Sequence, residues 1–199
     1  ASRYFSSAIT EDEIVSSYSG VRPLYEDHAA SNSTVTRDYV FELDNEGGAP
    51  ILSVYGGKIT TYRKLAEHAL EKLARVLALP GKVWTADAPL PGGDMPEGDF
   101  AAFLWRISER YEWLPPEMLL RLARAYGTRI EAVIGPAGSL GELGAHMGGN
   151  LYEAELRYLF DAEYARTAQD VLWRRSKLGL HLPVGAQQAV ADWFAAQTS

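Results

Sequence analysis

A segment rich in proline and glycine, residues 81–98, divides the 199-residue chain into two parts with different hydrophobic patterns. It holds three of the ten prolines and four glycines, which interrupt regular structure. Short apolar runs typical of strands dominate before it, whereas apolar residues after it recur every three or four positions, the period of a helix face. We therefore predict a mainly α protein, in which residues 1–80 form a small antiparallel β plus helix part, 81–98 a linker and 99–199 a helical carboxy-terminal domain.

Three short strands and one helix are predicted before the linker. The strands are predicted at Ile14–Tyr18, Tyr39–Leu43 and Ile51–Tyr55. The last two are joined by 44–48, whose asparagine and glycines accept positive φ, so we expect an antiparallel hairpin. Apolar residues at helical spacing predict a helix over 60–79, ended by the proline and glycine that follow.

The part after the linker shows the start and stop signals of successive helices. Helices are predicted around 100–111, from Pro116 to Gly127, over 167–178 and over 185–196. Thr128 and Asn150 each precede a glutamate by three positions, the pattern of a capping box. The glycines between 135 and 149 lack the spacing of a dinucleotide-binding loop, and we interpret them as a flexible connection between helices.

Composition excludes several classes of function. The net charge of -7 and pI of about 5.1 argue against nucleic acid as a partner. The chain has no cysteine, and its four histidines lack the spacing of a metal site, so disulfides, thiolate chemistry and a bound metal are not expected. Its apolar runs are far shorter than the roughly 20 residues that span a bilayer. Because the chain opens without a methionine, we expect an excised part of a larger protein.

The strongest chemical signal lies in the segment 51–63. An apolar strand leads into a Gly-Gly-Lys turn at 56–58, and a helix with threonines at its start follows. Glycines let a backbone approach a ligand closely, and the N–H groups and dipole of a helix start favour an anion or an electron-rich ring edge. A Walker A loop is excluded, because Leu52 and Ile59 stand where that motif needs a glycine and a hydroxyl residue. The alternative interpretation is a glycine turn with a solvated lysine.

This segment is one of three blocks that together carry a family resemblance. The blocks are Ser-Tyr-Ser-Gly-Val-Arg-Pro-Leu at 17–24, Thr-Arg-Asp-Tyr at 36–39 and Gly-Gly-Lys-Ile-Thr-Thr-Tyr-Arg-Lys-Leu-Ala-Glu at 56–67. In this order and spacing they closely resemble the aerobic, FAD-dependent glycerol-3-phosphate dehydrogenases. Further similarity at 90–93, 152–156 and 173–179 extends the resemblance over most of the chain. The chain has no calcium-binding loop of the kind found in mitochondrial members, which favours a bacterial-type member.

The resemblance implies a flavoenzyme that oxidises sn-glycerol 3-phosphate to dihydroxyacetone phosphate and passes the electrons through FAD to a membrane quinone. Residues 1–80 would be the carboxy-terminal part of its FAD and substrate-binding domain, and the amino-terminal FAD domain of the same chain would be their partner. A homodimer and peripheral contact with the inner face of the cytoplasmic membrane, from the cytoplasm, are further expectations. Alone, the chain is expected to be inactive and to bind no FAD stably.

The resemblance also implies roles for individual residues. Arg22 and Arg37 would bind the substrate phosphate, to which a guanidinium can donate two parallel hydrogen bonds. Lys58 would lie where flavin and substrate meet, as a catalytic, substrate-binding and cofactor-binding residue. Backbone and hydroxyl groups of four neighbours would face the flavin ring: Gly56, Gly57, Thr60 and Thr61. For Arg37, an ion pair with Asp38 or another surface carboxylate is the alternative.

Two other functions remain open from the sequence. The helical half could be an interaction module for oligomerisation or membrane docking, or the parent could be another flavin-dependent oxidase. A basic cluster at Arg174, Arg175 and Lys177 could contact a partner domain or acidic lipid headgroups. The simpler interpretation is that cations are favoured near the carboxyl end of a helix.

Overall fold

The computed structural model describes residues 9–21, 25, 38–79, 81–183 and 185–197. The chain divides into two compact units, which we call the first unit (residues 1–88) and the helical unit (residues 89–199). The mainly α fold class predicted from the sequence is confirmed, with short antiparallel pairs of strands as its β structure. No helix among the described residues is both long and apolar enough to cross a membrane.

The first unit is a β-hairpin packed on one helix. Strand β1 (Tyr39–Asp44) pairs antiparallel with β2 (Ile51–Gly56), and helix α1 spans Tyr62–Leu73 after a 3-10 turn at Ile59–Thr61. Tyr39 fastens the hairpin to the helix, since its hydroxyl lies 2.6 Å from Nδ1 of His68. The predicted hairpin is therefore confirmed.

Two predictions for the first unit were wrong: the first strand and the end of the helix. Residues Ile14–Tyr18 form no strand; a 3-10 turn at Glu11–Glu13 precedes them, and Val15 and Tyr18 are almost fully exposed. Among the described residues no neighbouring strand pairs with them, and a strand needs such a partner for its backbone. Helix α1 also ends at Leu73, earlier than predicted, because most helical stability comes from packing and Leu77 and Leu79 beyond it remain exposed.

The helical unit contains most of the regular structure. Its α-helices are α2 (Phe100–Arg110), α3 (Pro116–Tyr126), α4 (Ile130–Ile134), α5 (Glu153–Glu163) and α6 (Ala186–Gln197), its strands are β3 (His146–Gly148) and β4 (Leu151–Tyr152), and a π-helix spans Asp170–Arg175. Shorter 3-10 turns lie at Pro96–Gly98, Gly127–Arg129, Leu140–Leu143 and Leu178–Leu180. Predicted boundaries at Pro116, Gly127 and near 185–196 agree with α3 and α6.

All the buried hydrophobic side chains of the described residues lie in the helical unit. They form one core to which nearly every element contributes, including Ile107, Leu122, Ile130, Leu156 and Val190. None of the described residues of the first unit is buried. Burial of apolar surface is the main favourable term in folding, so the helical unit holds the larger share of the stabilisation.

Within the helical unit, residues 89–95 pack against the carboxyl end of α3. The amide of Thr128 donates to the carbonyl of Gly92 at 3.0 Å, and a Cβ added to Gly127 would overlap that carbonyl oxygen. The Thr128 hydroxyl donates to Asp94 instead of capping a helix, and this bond lowers the pKa of Asp94. The capping box predicted at Thr128 was therefore wrong, because Asp94, distant in sequence, takes its hydroxyl.

The glycines between 135 and 149 form a folded connection, not the flexible one expected. It contains the β3–β4 hairpin, and its Leu143 and Met147 are buried. A Cβ at Gly148 would collide with Ala186 of α6, so that glycine permits close packing. Asn150 sits at the hairpin turn and α5 begins at Glu153, so the second predicted capping box was also wrong.

Candidate functional site

The Gly-Gly-Lys turn connects β2 to α1 and has a tightly defined backbone. Gly56 has φ of 70° and Gly57 has φ of 98°, values that residues with a Cβ rarely adopt. The Lys58 carbonyl accepts both the amide and the hydroxyl of Thr61, each at 2.9 Å. These bonds turn the chain directly from the strand into the 3-10 turn that opens the helix.

Gly57 lies in van der Waals range of both the hairpin and the helix. A Cβ placed on Gly57 would lie 3.4 Å from Cβ of Tyr39 and 3.4 Å from Cδ1 of Leu65, which come from β1 and α1. Gly56 stands directly opposite Tyr39 in the hairpin register. Strand, helix and turn therefore meet here, and the position of Lys58 is set by β2 before it and by the 3-10 turn and helix after it.

Charge pairing distinguishes Lys58 from the other cations of the same block. Glu67, whose side chain is only 8% exposed, accepts Arg63 at 2.7 Å and Lys64 at 2.9 Å. It also accepts the hydroxyl of Thr85 at 2.5 Å, and the bonds from Thr85 and Lys64 lower the pKa of Glu67 to about 2. Arg63 and Lys64 are thus both paired with Glu67.

Lys58 itself is exposed, and no described residue forms a hydrogen bond or an ion pair with its ammonium group. The amides of Thr61 and Tyr62 donate to the carbonyls of Lys58 and Ile59, whereas the first two amides of the 3-10 turn, those of Ile59 and Thr60, have no acceptor within it. The positive end of the helix and the ammonium group of Lys58 therefore belong to the same turn. This arrangement can hold an anion or the electron-rich edge of a ring.

The structure brings together five of the predicted site residues. Gly56, Gly57, Lys58, Thr60 and Thr61 all lie in the turn and at the helix start. Thr60 is exposed and its hydroxyl can face a ligand, whereas the hydroxyl of Thr61 is engaged with the Lys58 carbonyl. Thr61 therefore shapes the turn.

The two predicted phosphate ligands, Arg22 and Arg37, lie outside the described residues. Tyr25, between them in sequence, is described: its ring lies 5.5 Å from that of Tyr55, and its hydroxyl donates to Glu42 at 2.9 Å. The accepting carboxylate raises the pKa of Tyr25, so the phenol keeps its proton. Tyr25 thus contacts the strand that leads into the Gly-Gly-Lys turn.

Sequence reasoning missed the residues that support the turn. The i, i+4 spacing of Arg63 and Glu67 is a readable sign of an ion pair on a helix. Thr85 carries no such sign, because it reaches Glu67 from a distant segment of the first unit. Tyr39 and His68 likewise meet only in the folded hairpin and helix.

The basic cluster of the helical unit is mainly engaged with its own backbone and neighbours. Arg174 pairs with Asp170 at 2.9 Å, and the Lys177 ammonium donates to the Trp173 carbonyl at the end of the π-helix. A Cβ on Gly179 would collide with the Trp173 ring, which explains the glycine of this block. The contacts fit cations placed at a helix end.

The fold and the turn together describe a protein in which a small part with a cationic glycine turn, the candidate ligand site, precedes a helical domain. Residues 83–198 match the family of the C-terminal domain of alpha-glycerophosphate oxidase. This match covers more than half of the chain, and the chain belongs to that family. Together with the full-length relatives below, this match confirms the resemblance inferred from the three sequence blocks.

Full-length relatives extend the similarity to the first unit. The chain is 45% identical over 196 residues to an aerobic glycerol-3-phosphate dehydrogenase of Escherichia coli (strain K12), covering 98% of the chain and 39% of that protein. It is 45% identical over 192 residues to a D-erythritol 1-phosphate dehydrogenase of Brucella abortus (strain 2308), covering 96% and 38%. A mitochondrial glycerol-3-phosphate dehydrogenase of Rattus norvegicus is 30% identical over 191 residues, which cover 92% of the chain and 25% of that protein. The chain thus spans well under half the length of these relatives.

Proposed function

We propose that this chain is the carboxy-terminal part of an FAD-dependent dehydrogenase that oxidises sn-glycerol 3-phosphate to dihydroxyacetone phosphate. The observation that carries the proposal is the Gly-Gly-Lys turn at the start of a helix, where no described residue pairs with the ammonium group of Lys58, whereas Arg63 and Lys64 both pair with Glu67. The 45% identity to a glycerol-3-phosphate dehydrogenase over nearly the whole chain supports it.

The residues of the turn fit one edge of a flavin. The open backbone at Gly56 and Gly57 allows a flat ring to approach the main chain, and Lys58 and Thr60 offer donors beside it. When bound, FAD would accept a hydride from the carbon that carries the substrate hydroxyl. Lys58 and the helix start would stabilise negative charge that develops at the ring edge, because donors fixed in advance need no reorganisation during the reaction.

The phosphate of the substrate is assigned to Arg22 and Arg37. Their guanidinium groups keep their charge at any working pH and can each donate two parallel hydrogen bonds to phosphate oxygens. Lys58 would contact the substrate from the flavin side. Together the three cations would hold a small dianionic alcohol with its reacting carbon toward the flavin.

A second candidate substrate is D-erythritol 1-phosphate. The relative with that activity in its name matches this chain at the same identity as the glycerol 3-phosphate relative. Both molecules are phosphorylated polyols, and the cationic groups proposed here recognise their common phosphate. The length of the polyol would then be selected by residues outside the described turn.

Electrons would leave the flavin for a membrane quinone, with the protein attached peripherally to the inner face of the cytoplasmic membrane. The 199-residue chain alone is expected to be inactive and to bind no FAD stably, because only one edge of the proposed cofactor site lies within it. Its proposed partner for activity is the amino-terminal FAD domain of the same polypeptide, and the complete protein could form a homodimer.

The test is an assay of the full-length protein that contains this sequence. Flavin absorbance of the purified sample and reduction of an artificial electron acceptor are measured with sn-glycerol 3-phosphate, D-erythritol 1-phosphate and unphosphorylated glycerol. We expect bound flavin and turnover of a phosphorylated polyol at least 100-fold more efficient, in kcat/KM, than that of glycerol, on the order of a lost charge-assisted contact. A protein without flavin, or one that does not distinguish glycerol from its phosphate, would refute the proposal.

A further inference from the structure

Helix α1 has an apolar surface wider than the hairpin can cover. On one side of the helix Leu65 lies close to Gly57 at the end of the hairpin, and both Leu65 and Ala69 are half-buried. Next to it run Tyr62, Ala66 and Leu70, spaced four residues apart, all of which are exposed. Successive residues turn by about 100°, so these three lie within an arc of roughly 80°.

We call this exposed row, together with Ile59 at its beginning, the α1 seam. Ile59 is 89% exposed, Leu70 59% and Tyr62 49%. Polar residues of the same helix, such as Lys64 and Glu71, occupy a different side. The exposed apolar residues are therefore organised in a stripe and are not scattered singly over the surface.

Within helix α1, the charged residues that border the seam are paired. Arg63 and Glu67 lie beside the seam and form an ion pair at 2.7 Å, and Thr85 donates a further hydrogen bond to the Glu67 carboxylate. Charged residues can stay at the edge of a buried interface when they are paired and hydrogen-bonded. The pairing is thus compatible with removal of this surface from water.

We propose that the α1 seam is the packing surface for an apolar helix from the part of the flavin-binding domain that this chain does not contain. This rests on the proposed function, and on the chain covering only 38% and 39% of its relatives. The seam is a row of i, i+4, i+8 side chains with the small Ala66 between two large residues. Such a row forms a ridge with a notch that interdigitates with the surface of a second helix.

The seam also begins beside the Gly-Gly-Lys turn, since Ile59 directly follows Lys58. A helix seated on it would bring the remainder of the domain up to the proposed flavin edge. Docking on the seam would in this way help to complete the cofactor site.

Substitution of Ala66 by leucine tests this surface without weakening the helix itself, because alanine and leucine both favour helices. Ala125→Leu is the matched control, at an exposed alanine of α3. Both variants are made in the full-length protein and in the 199-residue chain. Melting temperature, flavin content and oligomeric state are measured for each.

In the full-length protein, Ala66→Leu should lower the melting temperature by at least about 3 °C and reduce flavin retention, because the larger side chain overfills the notch. Ala125→Leu should leave both unchanged, and neither variant should shift the 199-residue chain by more than about 1 °C. Equal melting temperatures and equal flavin contents of the two variants in the full-length protein would overturn the inference.

The inference would also be overturned if the 199-residue chain formed a dimer that Ala66→Leu dissociates, since a second copy would then occupy the seam. Absence of flavin from the unmodified protein would instead refute the proposed function, while the temperature comparison would still test the seam.

Discussion

At the scale of residues, the helical unit places one carboxylate among its buried side chains and satisfies it from three directions. Glu155, with its side chain 3% exposed, accepts Arg121 through two bonds of 2.8 and 2.7 Å. The hydroxyl of Tyr126 donates to it at 2.7 Å, and burial together with Glu155 raises the pKa of that phenol. Arg121 also donates to the carbonyl of Asn150 at 2.7 Å, so the cluster ties α3 to α5 and to the β3–β4 turn.

Removal of this carboxylate should be costly because it leaves a cation and a phenol without their acceptor. We expect Glu155→Ala to lower the free energy of unfolding by about 3 kcal/mol. The matched control is Glu131→Ala, which removes an ion pair with Arg110 at 2.5 Å. The side chains of Arg110 and Glu131 are 57% and 53% exposed, so this substitution should lower the free energy of unfolding by less than about 1 kcal/mol. Urea unfolding of the 199-residue chain measures the free energy of unfolding of both variants. Equal decreases in the two variants would contradict the claim that burial makes the Glu155 contacts more important.

The residues of the candidate site were predictable from sequence only where the chain itself carries the signal. Two glycines before a lysine and a helix start are visible in the sequence, and the structure places them in one turn with positive φ at both glycines. The freedom of Lys58 was not predictable, because it depends on Glu67 pairing with Arg63 and Lys64 and on the distant Thr85. Pairing between distant segments leaves no local pattern.

At the scale of elements, local signals succeeded where the fold supplies a matching partner. The β1–β2 hairpin and helix α3, with proline at its start and glycine after its end, follow the predicted bounds closely. The segment Ile14–Tyr18 has the composition of a strand and no partner among the described residues. Thr128 and Asn150 have capping patterns, but the Thr128 hydroxyl donates to Asp94 and strand β4 separates Asn150 from α5, so the tertiary fold overrides the local preference.

Gly127 illustrates an element boundary that tertiary packing makes strict. It has φ of 54°, and an added Cβ would overlap the carbonyl of Gly92. Gly127→Ala should therefore destabilise the helical unit by at least about 2 kcal/mol. Gly141→Ala is the control, since nothing lies within 4 Å of its Cβ position and its φ is not positive. Thermal unfolding followed by circular dichroism compares them, and a Gly127 variant as stable as the Gly141 variant would rule out this close packing.

The Glu67 cluster should make the attachment of α1 sensitive to acid. The folded-state pKa is lowered from 4.5 to about 2, so the stabilisation is complete above the unfolded value and is lost as the pH falls toward 2. Hydrogen exchange of the α1 amides should therefore be slower in the wild type than in Glu67→Gln at pH 5. This difference should shrink progressively as the pH falls below 4.5 and vanish only below about pH 2. A difference that does not change with pH would mean that the charge of Glu67 is not what holds the helix.

At the scale of the whole molecule, the two units differ in how they are stabilised. The described buried core lies in the helical unit, whereas the first unit holds the candidate site and keeps its apolar residues partly exposed. A small hairpin and helix without a buried core are marginal by themselves. The proposal that this chain is part of a longer flavoprotein accounts for this difference between the units. The first unit would then gain its core from the remainder of the flavin-binding domain.

The central claim is that Lys58, the cation of residues 56–67 with which no described residue pairs, acts at the flavin and substrate. A comparison of two lysines in the full-length protein tests it most directly. Steady-state oxidation of sn-glycerol 3-phosphate is measured for Lys58→Met and Lys64→Met, with flavin content and melting temperature as checks on folding. Lys58→Met should lower kcat/KM by roughly 100-fold, the effect of removing one fixed donor from a developing negative charge. Lys64→Met should stay within about threefold of the wild type, because Lys64 is paired with Glu67. Equal effects of the two substitutions, with flavin retained in both, would contradict the account.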